Sequence, residues 1–289
     1  MRMSDVKPST ELCSLSINAS VATLTLERKD VYNALNVQLI SEIIDILDWT
    51  SHRAVGRTGS LRDHDGADYL RVLVLQGAGR HFCAGADINM MRDAGVKSPE
   101  ENRVGSERLD RLFNSLWAHP CFTISAVQGV ALGGGAGLIA CSDHVIALDN
   151  SRIALSEAKL GILPAVIGPY VYRRVGSAQF RRLTMLAGRF DGHEALNIGM
   201  VDQVSTSLGE TAEMVESTIA TVMSTGPVAV TEAKSLTQTF DNWRGTDEDL
   251  RRWTLDKTSE MRGSPEGQEG LSAFLDRRPP AWSPEDQDG

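Results

Sequence analysis

The sequence is poor in the features that mark specialised classes of chain. Only four cysteines occur in 289 residues (Cys13, Cys83, Cys121, Cys141), with no CxxC pairing and no zinc spacing. Neither a disulfide framework nor a structural zinc is therefore expected, and a reducing cytoplasm is the simplest home. No strongly apolar run reaches the roughly 18 residues that a membrane helix requires, so no membrane partner is expected. Residues 1–10 hold no apolar core after their basic residues, and no secretory signal is expected. Basic residues are in deficit, 29 against 38 acidic ones, for a net charge of −9. Such a balance excludes an ordinary nucleic-acid binder, which needs a basic surface to displace phosphate counterions. No two of the six histidines have metal-ligand spacing, so no metal is expected. There is no internal repeat of fixed period.

What remains is ordinary for a folded chain: 42% hydrophobic and 23% charged residues, a mix that excludes collagen, coiled coil and wholesale disorder. The length suits one large domain, or a main domain with a smaller appendage. Residues 1–10 are polar and expected to be loose. Two strand-like runs, 12–17 and 21–26, flank a hairpin turn at Asn18-Ala19-Ser20. Residues 35–49 place Ile40, Ile43, Ile44 and Leu47 at helical spacing. Residues 51–68 turn polar, with three glycines, three arginines and two histidines, and read as an exposed inserted loop. Strands follow at 69–76, 122–127 and 144–148, with helices after residue 86, at 102–118 and inside the glycine cluster to about Cys141. Beyond Asp202 the chain reads as helical, at 210–224, 227–236, 247–261 and 266–277. The fold class is therefore α/β, with a core at 11–205 and a helical segment at 206–289.

Two glycine turns carry the chemical signal. Gly133-Gly134-Gly135 precedes a helix, where glycine lets the backbone approach a ligand closely and the helix start leaves N–H groups unpaired. A dinucleotide site would need GxGxxG directly after a first strand; Gly133, Gly135 and Leu138 break that pattern, although Glu157 lies near the required distance. Tight helix packing without a ligand is the other alternative. The second turn, Ala84-Gly85-Ala86-Asp87, also leads from strand to helix, with Asp87 placed to cap it. Two such turns can each supply one backbone N–H to an oxyanion hole.

The segments FCAGADINMM (82–91), QGVALGGGAGL (128–138) and SEAKLGILPA (156–165), in this order and spacing, resemble the crotonase, or enoyl-CoA hydratase/isomerase, superfamily. The resemblance runs from residues 16–36 to 269–282. It implies a crotonase-like spiral of ββα turns, with trimers or dimers of trimers formed through the C-terminal helices. It puts the oxyanion donors on the amides of Ala86 and Gly134, and the adenine end of coenzyme A against Ala84 to Ile88. It offers Arg28, Phe274 and Arg277 as contacts to the CoA phosphates and ring. Coenzyme A is then part of the acyl-CoA thioester substrate, and no separate cofactor is implied.

Glu157 sits among apolar neighbours, where desolvation raises a carboxyl pKa; it is the candidate acid/base. Read alone, a glutamate here is as well explained by a helix cap or the surface. Hydratases of the family commonly carry a second glutamate at the position of Gly137, and this chain does not. That departure suits an isomerase moving one proton with one carboxylate, or a hydratase that orders its water otherwise. A dienoyl-CoA isomerase would want an acid where Ala165 stands. Residues 156–176 and 267–282 are most similar to hydratases of 3-methylglutaconyl-CoA or isohexenylglutaconyl-CoA. The expected activity is accordingly hydration of a branched 2-enoyl-CoA. The alternatives are a delta-isomerase or a non-catalytic acyl-CoA binder. His81 and His119 read as structural, Cys83 as small core filler, and Ser156 lacks the GxSxG context of a hydrolase.

Overall fold

A computed structural model of the chain describes residues 6–283. Residues 1–5 of the expected loose N-terminus, and 284–289 of the helical tail, lie outside the described residues. Lys7, within that stretch, already donates to the carbonyl of Leu15.

Strands β1 (Cys13–Asn18) and β2 (Val21–Leu26) form the expected hairpin, with Ala19 left-handed in its turn. Helix α1 (Val37–His52) is capped by Asn36, whose side chain accepts the Leu39 N–H. The polar stretch 51–68 is not wholly loop: it holds a short helix α2 (Val55–Thr58), and Ala54, fully buried, bridges to Leu70. Strand β3 (Val72–Gly77) begins three residues later than its apolar run, because residues 69–71 are spent on that bridge and on the crossing from α2. Helices α3 (Ile88–Gly95) and α4 (Pro99–Trp117) follow, the latter opened by a Ser98/Glu101 capping box. Next come β4 (Phe122–Val127), β5 (Val130–Leu132), α5 (Gly134–Ala140), β6 (His144–Leu148) and β7 (Arg152–Ala154). A 3-10 turn, Glu157–Leu160, leads to α6 (Gly168–Leu186), α7 (Gly192–Asn197) and β8 (Gln203–Ser205). The chain ends in α8 (Leu208–Met223), α9 (Pro227–Asn242), α10 (Asp247–Gly263) and α11 (Pro265–Asp276). No helix among the described residues is long and apolar enough to cross a membrane.

The main sheet has the order β1-β2-β3-β4-β6-β8, parallel except for the first hairpin. Its central strands β3, β4 and β6 are buried on both faces; β3 and β6 read as apolar runs, and β4 places Thr123 and Ser125 against partners, Asp143 and Ser142. In β3, Leu73 and Leu75 join the larger core with α1, α4 and α5, while Val72 and Val74 pack with Val215, Ile219 and Val222 of α8. The parallel pairing has a consequence for function: β3 and β4 release their carboxyl ends side by side. The turns that follow, 78–87 and 128–134, are thereby brought together. A second sheet, β5 paired with β7, matches Leu132 to Ala154 and carries residue 157 back towards residue 133.

Candidate active site

The two glycine turns meet as their sequence suggested. Gly85 has φ +90°, and a Cβ there would lie 2.5 Å from the Leu132 carbonyl oxygen and 3.2 Å from the Gly134 nitrogen. Only glycine permits both that conformation and that approach. Leu35 fixes the orientation of the next residue. Its N–H donates to the Gly85 carbonyl (2.8 Å), and its own carbonyl accepts the Asp87 N–H (2.9 Å). In a parallel bridge of this kind the intervening residue, Ala86, turns its N–H the other way. That N–H faces the start of α5, where a Cβ on Gly134 would be 3.6 Å from the Ala86 nitrogen. Neither amide, Ala86 or Gly134, has an acceptor among the described residues. Two unpaired donors converge, one of them at a helix start carrying partial positive charge.

Glu157 stands beside them. The Gly133 N–H donates to Ala154 (2.9 Å), and a Cβ on Gly133 would lie 2.9 Å from Glu157 Oε1. The carboxylate thus leans over the glycine turn. Its Oε2 is buried with no hydrogen-bond partner. Burial pushes the carboxyl pKa of Glu157 above its ordinary value, because the charged form loses water and its own backbone N–H offsets that loss only in part. A carboxyl whose pKa is raised by burial, beside two oxyanion donors, can move a proton to and from a carbon or oxygen next to a polarised carbonyl.

At Gly137 the absence of a second carboxylate has a packing cause. A Cβ there would meet Ile167 Cγ2 at 2.4 Å and Phe113 Cε1 at 2.9 Å. Behind them Tyr170 packs on Phe113 and Trp117, with ring centroids 6.3 and 5.7 Å apart. The position is an apolar wall, closed to any side chain.

The proposed CoA contacts divide into two groups. Ala84, Ala86, Asp87 and Ile88 lie along the first turn, with Ile88 exposed and the Ala84 N–H tied to the Tyr32 carbonyl. Arg28 joins them, but its guanidinium is already paired with Asp87 at 3.3 Å and donates to the Ala34 carbonyl. Asp87 itself caps α3 by accepting the N–H groups of Asn89 and Met90. Arg28 thus braces the turn from the same side on which the resemblance places the CoA phosphates. Lys29, whose Cβ lies 3.1 Å from where one on Gly79 would be, and the exposed Arg80 are the cations beside this turn without an ion-pair partner among the described residues. Sequence reasoning passed over both; their place next to the first turn was the available signal. Phe274 and Arg277 are not brought to the site by contacts of this chain. They sit on α11, which is fastened elsewhere: Glu266 accepts the N–H groups of Val228 and Ala229 at the start of α9. Phe274 is 81% exposed and Arg277 ends the helix in a left-handed conformation.

His119 stays outside the chemistry. His119 is fully buried, bonds Thr50 and accepts the Cys121 N–H, and burial pushes its pKa down to about 3. Cys83 is buried beside the first turn, its thiol pushed up to about 12 by desolvation, so it is no nucleophile. Among the described residues no cluster of three His, Cys, Asp or Glu side chains could hold a metal ion.

Comparison with known proteins shows the family and the fold. Residues 16–285 match the family model described as enoyl-CoA hydratase/isomerase. The chain is 31% identical over 273 residues to the 1,2-epoxyphenylacetyl-CoA isomerase of Escherichia coli, covering 92% of this chain and 96% of that protein. Its structure is similar to that of an enoyl-CoA hydratase from Shewanella pealeana, with a TM-score of 0.84, 34% identity and coverage of 95% and 97%. It is also similar to Pseudomonas aeruginosa AtuE, with a TM-score of 0.83, 33% identity and coverage of 94% and 100%. The fold is the crotonase fold, and the chain belongs to the enoyl-CoA hydratase/isomerase family.

Proposed function

We propose that this protein is an enoyl-CoA hydratase that works with a single carboxylate. The thioester oxygen of a 2-enoyl-CoA accepts the N–H groups of Ala86 and Gly134. Water adds at C3 as Glu157 takes its proton; the thioester oxygen gains negative charge and the C2=C3 pair moves toward C2. The protonated Glu157 then delivers a proton to C2 and the carbonyl re-forms, leaving a 3-hydroxyacyl-CoA and the original carboxylate. The observation that carries this reading is the meeting of the half-buried Glu157 carboxylate, whose Oε2 has no partner, with two unpaired amides across Gly133. Such preorganised donors stabilise the charge that develops on oxygen.

The substrate class we infer is a branched glutaconyl-CoA, of the 3-methylglutaconyl or isohexenylglutaconyl kind. Two points support it: the similarity of residues 156–176 and 267–282 to hydratases of these thioesters, and the apolar wall at Gly137. With no second protein carboxylate to hold the water, the distal carboxylate of the substrate takes that part. Phe274 and Arg277, exposed on α11, would reach CoA from a neighbouring subunit of a homotrimer or hexamer.

A delta-isomerase is the second reading. A lone carboxylate suffices to carry a proton between C2 and C4, and one relative of 31% identity is named an isomerase. One assay separates the readings. Loss of enoyl absorbance from a glutaconyl-type 2-enoyl-CoA, with a 3-hydroxyacyl product, supports the hydratase. Gain of that absorbance from a 3-enoyl-CoA supports the isomerase, and binding without either change leaves a non-catalytic binder. Equal hydration of glutaconyl and plain enoyl thioesters would remove the role given to the distal carboxylate.

A further inference from the structure

Asn33 takes no part in the chemistry above, yet its surroundings are the most constrained in the neighbourhood. It is completely buried, and both it and Tyr32 are left-handed, with φ of 57° and 56°. Two consecutive left-handed non-glycine residues are uncommon; asparagine is among the few side chains that tolerate the conformation. The bend turns the carbonyls of residues 32, 33 and 35 onto the first glycine turn. The Tyr32 carbonyl accepts the Ala84 N–H at 2.9 Å, the Asn33 carbonyl accepts the Cys83 thiol at 3.2 Å, and Leu35 brackets Ala86 through Gly85 and Asp87. The Cys83 sulfur in turn accepts the Gly85 N–H at 3.4 Å. Meanwhile the Asn33 side chain donates from Nδ2 to the carbonyls of Ala78 and His81, at 3.1 and 2.7 Å, and so holds the chain just before the turn.

We propose that Asn33 is a positioning residue for the Ala86 amide, acting through Cys83 and the 32–35 strap. The strap hydrogen-bonds to the segment 83–87 at each residue except Ala86, the one whose N–H is left to point at the substrate. Asn33 fixes both the start of this segment, through its side chain, and the shape of the strap, through its backbone. This role rests on the oxyanion function proposed for Ala86.

The test uses variants Asn33→Asp, Cys83→Ala and Cys83→Ser, with butyryl-CoA labelled with carbon-13 at its carbonyl as an unreactive probe. Aspartate keeps the size and the left-handed tolerance of asparagine but cannot donate to the two carbonyls. Alanine at 83 removes only the sulfur link and serves if Asn33→Asp does not fold. In the wild-type protein the carbonyl stretch of bound probe falls below its solution frequency. In Asn33→Asp and Cys83→Ala that fall shrinks and kcat drops about tenfold, as for a misaimed oxyanion donor. KM and probe affinity stay within about threefold, because the contacts to the CoA moiety and acyl chain are unchanged and only one carbonyl hydrogen bond weakens. Cys83→Ser, which can again accept and donate, recovers the frequency shift. Folded variants with a lower melting temperature but full frequency shift and wild-type kcat would overturn the role and leave Asn33 merely structural. No frequency shift in the wild-type protein would refute the oxyanion reading itself, and this role with it.

Discussion

Replacing Gly137 by alanine tests whether the acyl side of the site is closed by packing. The added Cβ would lie 2.4 Å from Ile167 Cγ2 and 2.9 Å from Phe113 Cε1, against about 3.5–4.0 Å for an ordinary carbon contact. Ile167, only 4% exposed, has no open side to retreat into and must move by about 1 Å. Overpacking of this kind costs about 1–3 kcal/mol, and the better helix propensity of alanine offsets up to about 1 kcal/mol. With two side chains overlapped the cost lies in the upper part of that range, and the net loss of about 1–2 kcal/mol should lower Tm by about 2–3 °C for a chain of 289 residues. Gly137→Glu should lose more, since it also buries a carboxylate against a phenyl ring and an isoleucine with no donor. Calorimetry of Gly137→Ala, Ile167→Ala and the double variant isolates the contact. Trimming Ile167 makes room, so Gly137→Ala should cost at least about 1 kcal/mol less in that background. A Gly137→Ala protein that melts like the wild type, or strict additivity in the cycle, would refute the packed wall.

Four other tests have defined outcomes. Gly133→Ala puts a Cβ 2.9 Å from Glu157 Oε1 at a residue with φ +48°; steady-state kinetics should show kcat down by about 10²-fold with saturated acyl-CoA affinity kept, and an unchanged kcat would contradict the placement of the carboxylate. Burial raises the folded-state pKa of Glu157 above its ordinary 4.5, so its favourable contribution to stability exists below that value and is lost as pH rises through it to the folded pKa. Glu157→Gln should therefore melt above the wild type at pH 7 and lose that advantage below about pH 4.5. For His119, whose folded pKa is lowered to about 3 from 6.5, the sign reverses: its contribution is complete above the unfolded value and lost as pH falls towards the folded one. NMR should find this imidazole neutral at pH 5, and a protonated ring there would contradict its burial. Arg71 donates from Nη2 to the carbonyls of Val222, Met223 and Thr225 and from Nη1 to Trp282; Arg71→Met should cost about 3 kcal/mol or more of stability while kcat at 25 °C holds, and an unchanged Tm would refute the clamp.

The parts of the fold legible from the sequence are those with a local signature. β4 and β6 stand where they were read, because β-branched and apolar residues bounded by turns mark buried strands even where, as in β4, Thr123 and Ser125 interrupt the run. The glycine turns were legible because φ and close approach at Gly85 admit no other residue. The three-residue strands β5, β7 and β8 carry no such pattern, and it is the β5–β7 pairing that delivers Glu157 to Gly133. Helix α6 escaped notice because it is mostly polar, holds Pro169 in its first turn and breaks at Gly176, where φ is +75°. The Arg28–Asp87 pair spans 59 residues and depends on the turn geometry; nothing near Arg28 in the sequence announces it. Likewise the wall at Gly137 comes from α4 and the loop before α6, which meet α5 only in the folded chain.

The central claim is that one side chain carries the proton while main-chain donors hold the oxygen. Turnover and saturated acyl-CoA binding by Glu157→Gln, measured on the same preparation, test it directly. The account predicts that kcat falls by at least about 10²–10⁴-fold, as when an acid/base group is removed, with ligand affinity within threefold of the wild type. A Gln variant that turns over substrate at the wild-type rate would contradict it.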